Sequence, residues 1–147
     1  MIRSATAVWS GGPGAGEGSV TTSSGVINAL YSFASGFNEE PCTSPGEMLA
    51  AAQASCVSLM FTQELAKAGV RPQHVTTQAD LRVDEVDGLW TITSVHLRVS
   101  VEAPQLEPDE FKKIAERARA RCPITRALKA DVTMDSVLKP LAVHAVV

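Results

Sequence analysis

The chain has no Cys-x-x-Cys pair, no His-x-x-x-His pair and no tight cluster of candidate ligands, so the spacings of common metal sites are not supported. It also lacks strong charge. The formal net charge of −3 gives no electrostatic reason to expect nucleic acid or an anionic membrane as a partner. No apolar run approaches the roughly 20 residues that cross a bilayer. The opening Met1-Ile2-Arg3-Ser4-Ala5-Thr6 has no apolar signal core, and a cytoplasmic location is the expectation. Thiols are kept reduced there, so a disulfide points to a transient, catalytic role rather than a structural one. With 3 cysteines, at least one is unpaired within the chain. Repeats and low-complexity linkers are absent. The glycines Gly11, Gly12, Gly14, Gly16 and Gly18 are not followed by Gly-Lys-Ser/Thr or by a helix, so they read as a strand connection and not as a phosphate loop.

What the chain does have is apolar material. Hydrophobic residues make up 45% of its 147 positions, enough for one domain, residues 1–147, with a real core. Residues 3–9 and 17–31 read as strands. Residues 45–68 read as the clearest helix. Ser44 fits the N-cap, Pro45 fits N1, Glu47 completes a Ser-x-x-Glu capping box, and Gly69 supplies the stop. Leu49, Ala52, Cys56, Leu59, Met60 and Gln63 are expected on its inner face. Residues 75–86 and 89–102 read as a hairpin turned at Asp87-Gly88, with Val95, Leu97, Val99 and Val101 inward. Pro108 starts a helix that buries Phe111, Ile114, Ala115 and Ala118. Pro123 starts a short third helix, and residues 130–138 a last strand. The order of strands, helix, strands, helices and strand is an α+β pattern. The alanine-rich helix and the apolar stripe of 108–120 offer more apolar surface than a small domain covers, which predicts a homodimer.

Two cysteines stand in contrasting settings. Cys56 lies inside the apolar helix, where burial raises a thiol's pKa. Cys122 opens a helix, where free amides favour the thiolate, and Arg119, Arg121 and Arg126 are expected to add positive charge. Cys42 lies beside Glu39 and Glu40 and reads as a bystander. The histidines His74, His96 and His144 are scattered, and His96 reads as solvated.

The segment from Thr43-Ser44-Pro45 to Gln53-Ala54-Ser55-Cys56 resembles the first-cysteine helix of the OsmC/Ohr family, and Ala120-Arg121-Cys122-Pro123-Ile124 resembles its second-cysteine motif. Trp9, the Ser24-Gly25-Val26 strand start, the Asp-Gly hairpin and the last strand agree with the OsmC branch over roughly residues 5–138. The resemblance implies an intertwined homodimer with antiparallel sheets around central helices. It implies reduction of organic hydroperoxides, and less well hydrogen peroxide, without haem, flavin or metal. Cys56 is then the peroxidatic residue and Cys122 the resolving one. A dithiol such as a dihydrolipoyl group is the external reductant.

The chain departs from that pattern at the family's activating arginine, where it has Gly36, and at the glutamate that orients it, where it has Gly46. Glu47, the next residue, is a candidate in its place, although capping also explains it. Arg3, Arg82 and Arg98 are candidates to bring a cation from a partner subunit. Residues 139–147 run past the family's usual end. A second reading is therefore an OsmC-fold protein with weak or no peroxidase activity that binds a small apolar ligand at the dimer interface.

Overall fold

The computed structural model describes residues 1–13, 15–32, 42–104 and 106–141. It divides into two compact units, Met1–Leu49 and Ala50–Val147. In the first, β1 (Ala5–Ser10), β2 (Glu17–Thr22) and β3 (Asn28–Tyr31) form an antiparallel sheet in that order. The single strand expected over 17–31 is thus two strands. At Ser23-Ser24-Gly25 the chain turns, because short hydroxyl side chains offer the backbone local partners in competition with the ladder. Thr22 N–H donates to the Ile27 carbonyl at 3.0 Å, and the Ile27 amide donates to Thr22 Oγ1 at 3.2 Å. Gly18 pairs with Trp9 on one side and Tyr31 on the other, and the two rings close over it with centroids 5.7 Å apart. A Cβ at Gly18 would lie 2.6 Å from Tyr31 Cε1 and 2.7 Å from Trp9 Cε3, so this close approach requires glycine.

Helix α1 (Pro45–Lys67) opens as its residues dictate. Ser44 Oγ accepts the Glu47 amide at 3.1 Å, but the Glu47 carboxylate accepts the Thr43 hydroxyl at 2.6 Å instead of closing the expected box on Ser44. At the other end Gly69 takes φ +73°, the Val70 amide reaches the Leu65 carbonyl at 2.9 Å and the Gly69 amide reaches Ala66 at 3.0 Å. This is a Schellman stop.

In the second unit, β4 (His74–Val86), β5 (Leu89–Glu102) and β6 (Asp131–Lys139) form a sheet in sequence order, β4 antiparallel and β6 parallel to β5. The parallel step needs a crossover, and α2 (Pro108–Arg121) with α3 (Pro123–Ala127) supplies it. Positive φ at Asp87 and Gly88 gives the tight turn between β4 and β5. Val95, Leu97, Val99 and Val101 are all buried, as their alternation requires, and so are Phe111, Ile114, Ala115 and Ala118 of α2. The α2 stripe is therefore covered within its own unit and is not spare surface for a partner.

The α1 face differs from expectation. Gln53, Val57, Phe61, Glu64 and Leu65 are buried, whereas Leu59 is 62% exposed and Gln63 is exposed. Apolar and small residues surround this helix on nearly every side, so their periodicity does not select a face. The choice falls to the bulky partners it meets: Phe61 packs on Phe111 with centroids 6.4 Å apart. No helix among the described residues is long and apolar enough to cross a membrane.

One ion cluster ties α1 to α2. Buried Glu64 pairs with Arg117 at 2.9 Å, with Arg121 at 3.5 Å and with Lys67 at 2.5 Å. Hydrogen bonds from Lys67 and then Arg117 hold the Glu64 carboxyl below its ordinary pKa. A carboxyl lowered in the folded state stabilises the fold above its ordinary pKa, and that contribution is lost as pH falls through the lowered one. Glu64→Gln should therefore weaken the protein at neutral pH and flatten its loss of stability in acid. Urea unfolding from about pH 7 to about pH 3 measures both effects.

Candidate active site

The site is built on a break in the chain. Cys122 ends α2 and precedes Pro123, whose ring disfavours helical geometry in the residue before it. Cys122 accordingly adopts φ −62°, ψ 119°, and serves as C-cap of α2 and N-cap of α3. Its own amide donates to the Arg119 carbonyl at 3.3 Å, and its carbonyl accepts the Arg126 amide at 3.1 Å. The restart leaves the first amides of α3 without helical acceptors. Those of Thr125 and Ile124 turn to the Cys122 sulfur.

The core brings Cys56 to the same place. Val57 and Phe61 seat α1 in the core, and half-buried Cys56 lies beside them at the core's edge, while Cys122 is fully buried. The two thiols lie close enough that each shifts the ionisation of the other. Burial works to raise Cys122, but it is outweighed by the Thr125 amide, the Cys56 thiol, the Thr125 hydroxyl and the Ile124 amide, so this thiol lies below its ordinary pKa. Cys56 is pushed up, first by burial and then by its hydrogen bond with Cys122. The Ile124 amide opposes that rise, and the charge of Cys122 adds to it.

The lowering of Cys122 has a different source from the one its neighbours suggest. Arg121 and Arg117 face Glu64, Arg119 donates to the Val132 carbonyl at 3.0 Å, and Arg126 is exposed. Amides, the Cys56 thiol and the Thr125 hydroxyl, not guanidinium groups, lower the Cys122 thiol. Of the arginines that adjacency in sequence assigns to Cys122, the buried carboxylate has drawn off Arg121, and Arg119 is turned to a backbone carbonyl.

Two residues of the site escaped the sequence reading. Gln53, one turn ahead of Cys56 and fully buried, donates through Nε2 to Thr125 Oγ1 at 2.6 Å. The signal for Gln53 was an amide placed within a run of alanines. Thr125 gave none beyond its nearness to Cys122. Glu47 is exposed and bound to Thr43, and Gly36 lies outside the described residues. Cys42 is near Ser32, Sγ to Oγ 3.3 Å. Arg82 and Arg98 are each held by a carboxylate of β4, Asp84 at 2.9 Å and Asp80 at 2.5 Å. His96 contacts Thr133 at 2.9 Å and Asp135 at 3.3 Å.

Residues 36–137 match the family model described as OsmC-like protein. A curated relative, Peroxiredoxin OsmC of Escherichia coli strain K12, is 38% identical over 132 residues, covering 89% of this chain and 92% of the relative. Among solved structures, an OsmC-like protein of unknown function from Vibrio cholerae has a TM-score of 0.78 at 19% identity, covering 93% of this chain and 99% of that one. An organic hydroperoxide resistance protein of Bacillus subtilis has a TM-score of 0.65 at 23% identity, covering 92% and 98%. These structures share the α+β fold.

The mutual effect of the two thiols is directly testable. Cys122→Ala should lower the pH at which Cys56 is alkylated, because a hydrogen bond and a charge that raise it are gone while burial remains. Cys56→Ala should raise the pH at which the Cys122 thiolate forms, because a donor is lost. The pH dependence of Cys56 labelling by iodoacetamide, followed by mass spectrometry, checks the first direction, and ¹³C NMR titration of the buried Cys122 checks the second.

Proposed function

The chain belongs to the OsmC family, and from that premise we propose that it is a cysteine-based peroxidase that reduces organic hydroperoxides, and hydrogen peroxide less well. The observation that carries the reading is the placement of Cys56 beside Cys122, close enough that each thiol shifts the ionisation of the other. The names of the relatives support the same peroxidase-like role. Half-buried Cys56 is open to an oxidant, whereas fully buried Cys122 is not.

Cys56, as thiolate, attacks one oxygen of ROOH. The O–O bond breaks, Cys56 becomes a sulfenic acid, and the alkoxide takes a proton to leave as ROH. The Cys122 thiolate then attacks the Cys56 sulfur. An S–S bond forms, the S–O bond breaks, and the oxygen leaves as water after protonation. A small dithiol returns both cysteines to thiols by exchange and is itself oxidised to a disulfide. Haem, flavin and metal have no part in this sequence of steps.

The first step is the slow one in this chain. Burial and then the neighbouring Cys122 raise the Cys56 thiol, so little Cys56 thiolate exists at neutral pH. Position 46 is glycine and has no carboxylate with which to hold a guanidinium, and the neighbouring Glu47 is engaged by Thr43. Activity is accordingly weaker than in a family member that carries both charged groups.

The working protein is a homodimer. Val8 is 55% exposed, Ile27 52% and Leu30 41% in the first unit, as is Leu59 of α1 at 62%. A small sheet needs an apolar face covered to be stable in water, and a second copy of the chain provides the cover. Sedimentation at micromolar concentration should find a dimer and no folded monomer.

Titration of free thiols after cumene hydroperoxide tests the chemistry. Wild type should lose two thiols, Cys56→Ser should react with neither partner, and Cys122→Ser should stop at a sulfenic acid that dimedone traps. The oxidation rate should keep rising above neutral pH. If all three thiols stay free, the reaction is excluded and binding of a small apolar ligand takes its place. A Cys56 rate already at its plateau in mild acid would show that a cation serves Cys56 after all.

A further inference from the structure

We propose that Gln53 is a positioning residue of the dithiol centre, which orients the Thr125 hydroxyl so that it donates to the Cys122 sulfur. The purpose assigned to this arrangement rests on the peroxidase reading. The hydrogen-bond chain itself does not.

Gln53 projects from α1, its side chain is fully buried, and Nε2 donates to Thr125 Oγ1 at 2.6 Å across 72 positions of sequence. Its Oε1 is buried without a hydrogen-bond partner among the described residues. A hydroxyl has one proton to give and lone pairs to receive. Because Gln53 donates to it, the Thr125 oxygen is occupied as an acceptor, and its proton is free for Cys122, on which the hydroxyl acts. With the amide turned the other way, Oε1 would take that proton, and Thr125 would present only a lone pair to the sulfur. The orientation of one amide thus decides whether Thr125 favours or opposes a negative sulfur.

An unpaired buried carbonyl is unfavourable, and an apolar side chain would fill the same space without it. What the amide adds is direction. It matters because Cys122 must supply the electron pair for the S–S bond when it attacks the Cys56 sulfenic acid. It matters again when exchange releases Cys122 as the departing thiolate. Other ionisable groups on the adjoining elements do not duplicate this effect. On α1 the relevant group is Cys56 itself, while Glu64 and Lys67 are paired with each other. On α2, Arg117 and Arg121 face Glu64 and Arg119 faces Val132. Arg126 of α3 is exposed.

The test is NMR titration of reduced protein labelled with ¹³C at cysteine Cβ, which requires no reagent to reach a buried sulfur. The Cys122 midpoint should move up in Gln53→Leu, in Gln53→Met and in Thr125→Val, and stay near the wild-type position in Thr125→Ser. Gln53→Leu should add nothing in a Thr125→Val background. Closure of the disulfide after oxidation by cumene hydroperoxide should slow about tenfold at neutral pH in Gln53→Leu, the size of one hydrogen bond to a charged group. An unmoved Cys122 midpoint in folded Gln53→Leu and Gln53→Met overturns the proposal. So does a Gln53→Leu shift that persists in full without the Thr125 hydroxyl. Wild type that titrates as expected yet forms no disulfide with hydroperoxide would overturn the peroxidase reading alone, and the shifts in the reduced variants would still support the role of Gln53.

Discussion

The step from Cys122 to Pro123 is the constraint on which the site depends. Proline holds the preceding residue out of the helical region and has no amide of its own to satisfy. One helix therefore ends at Arg121 and another begins at Pro123, with Cys122 capping both. The amides released at that restart turn to the sulfur of the one residue that belongs to neither helix. A continuous helix would have spent those amides on carbonyls one turn back and left an ordinary buried thiol.

The distribution of charge follows from burial elsewhere. Glu64 is buried, and a buried carboxylate without partners is very costly. Arg117, Arg121 and Lys67 meet that need. Arg117 and Arg121 fasten α1 to α2 while Lys67 pairs with Glu64 within α1, and all three are then engaged away from the sulfurs. Short-range dipoles, the Thr125 and Ile124 amides and the Thr125 hydroxyl, act on Cys122 instead.

Much of the fold was legible because the relevant signals are local. Pro108 and Pro123 fix helix starts, Ser44 and Gly69 bracket α1, Asp87-Gly88 turns the hairpin, and alternation in β5 picks out its buried face. The readings that failed were those that a local pattern could not decide. The 17–31 segment divides because three small turn residues outweigh the strand preference around them. The α1 face is displaced because a helix with apolar residues all round carries no unambiguous stripe, and only Phe111 and the β5 valines determine which side is buried.

The same division runs through the site. The sequence alone determined that two thiols of opposite character exist, one mid-helix and one before a proline, and which family their motifs resemble. It did so because helix position and the proline effect act within a few residues. Tertiary structure decided that the two cysteines come together, that Arg121 beside Cys122 serves Glu64 instead, and that Gln53 reaches Thr125. Those outcomes depend on contacts between residues far apart in the chain, such as Gln53 and Thr125, 72 positions apart. They were fixed only when α1 packed against α2 and β5, because a side chain's partner is set by what burial brings within reach and not by its neighbours in sequence.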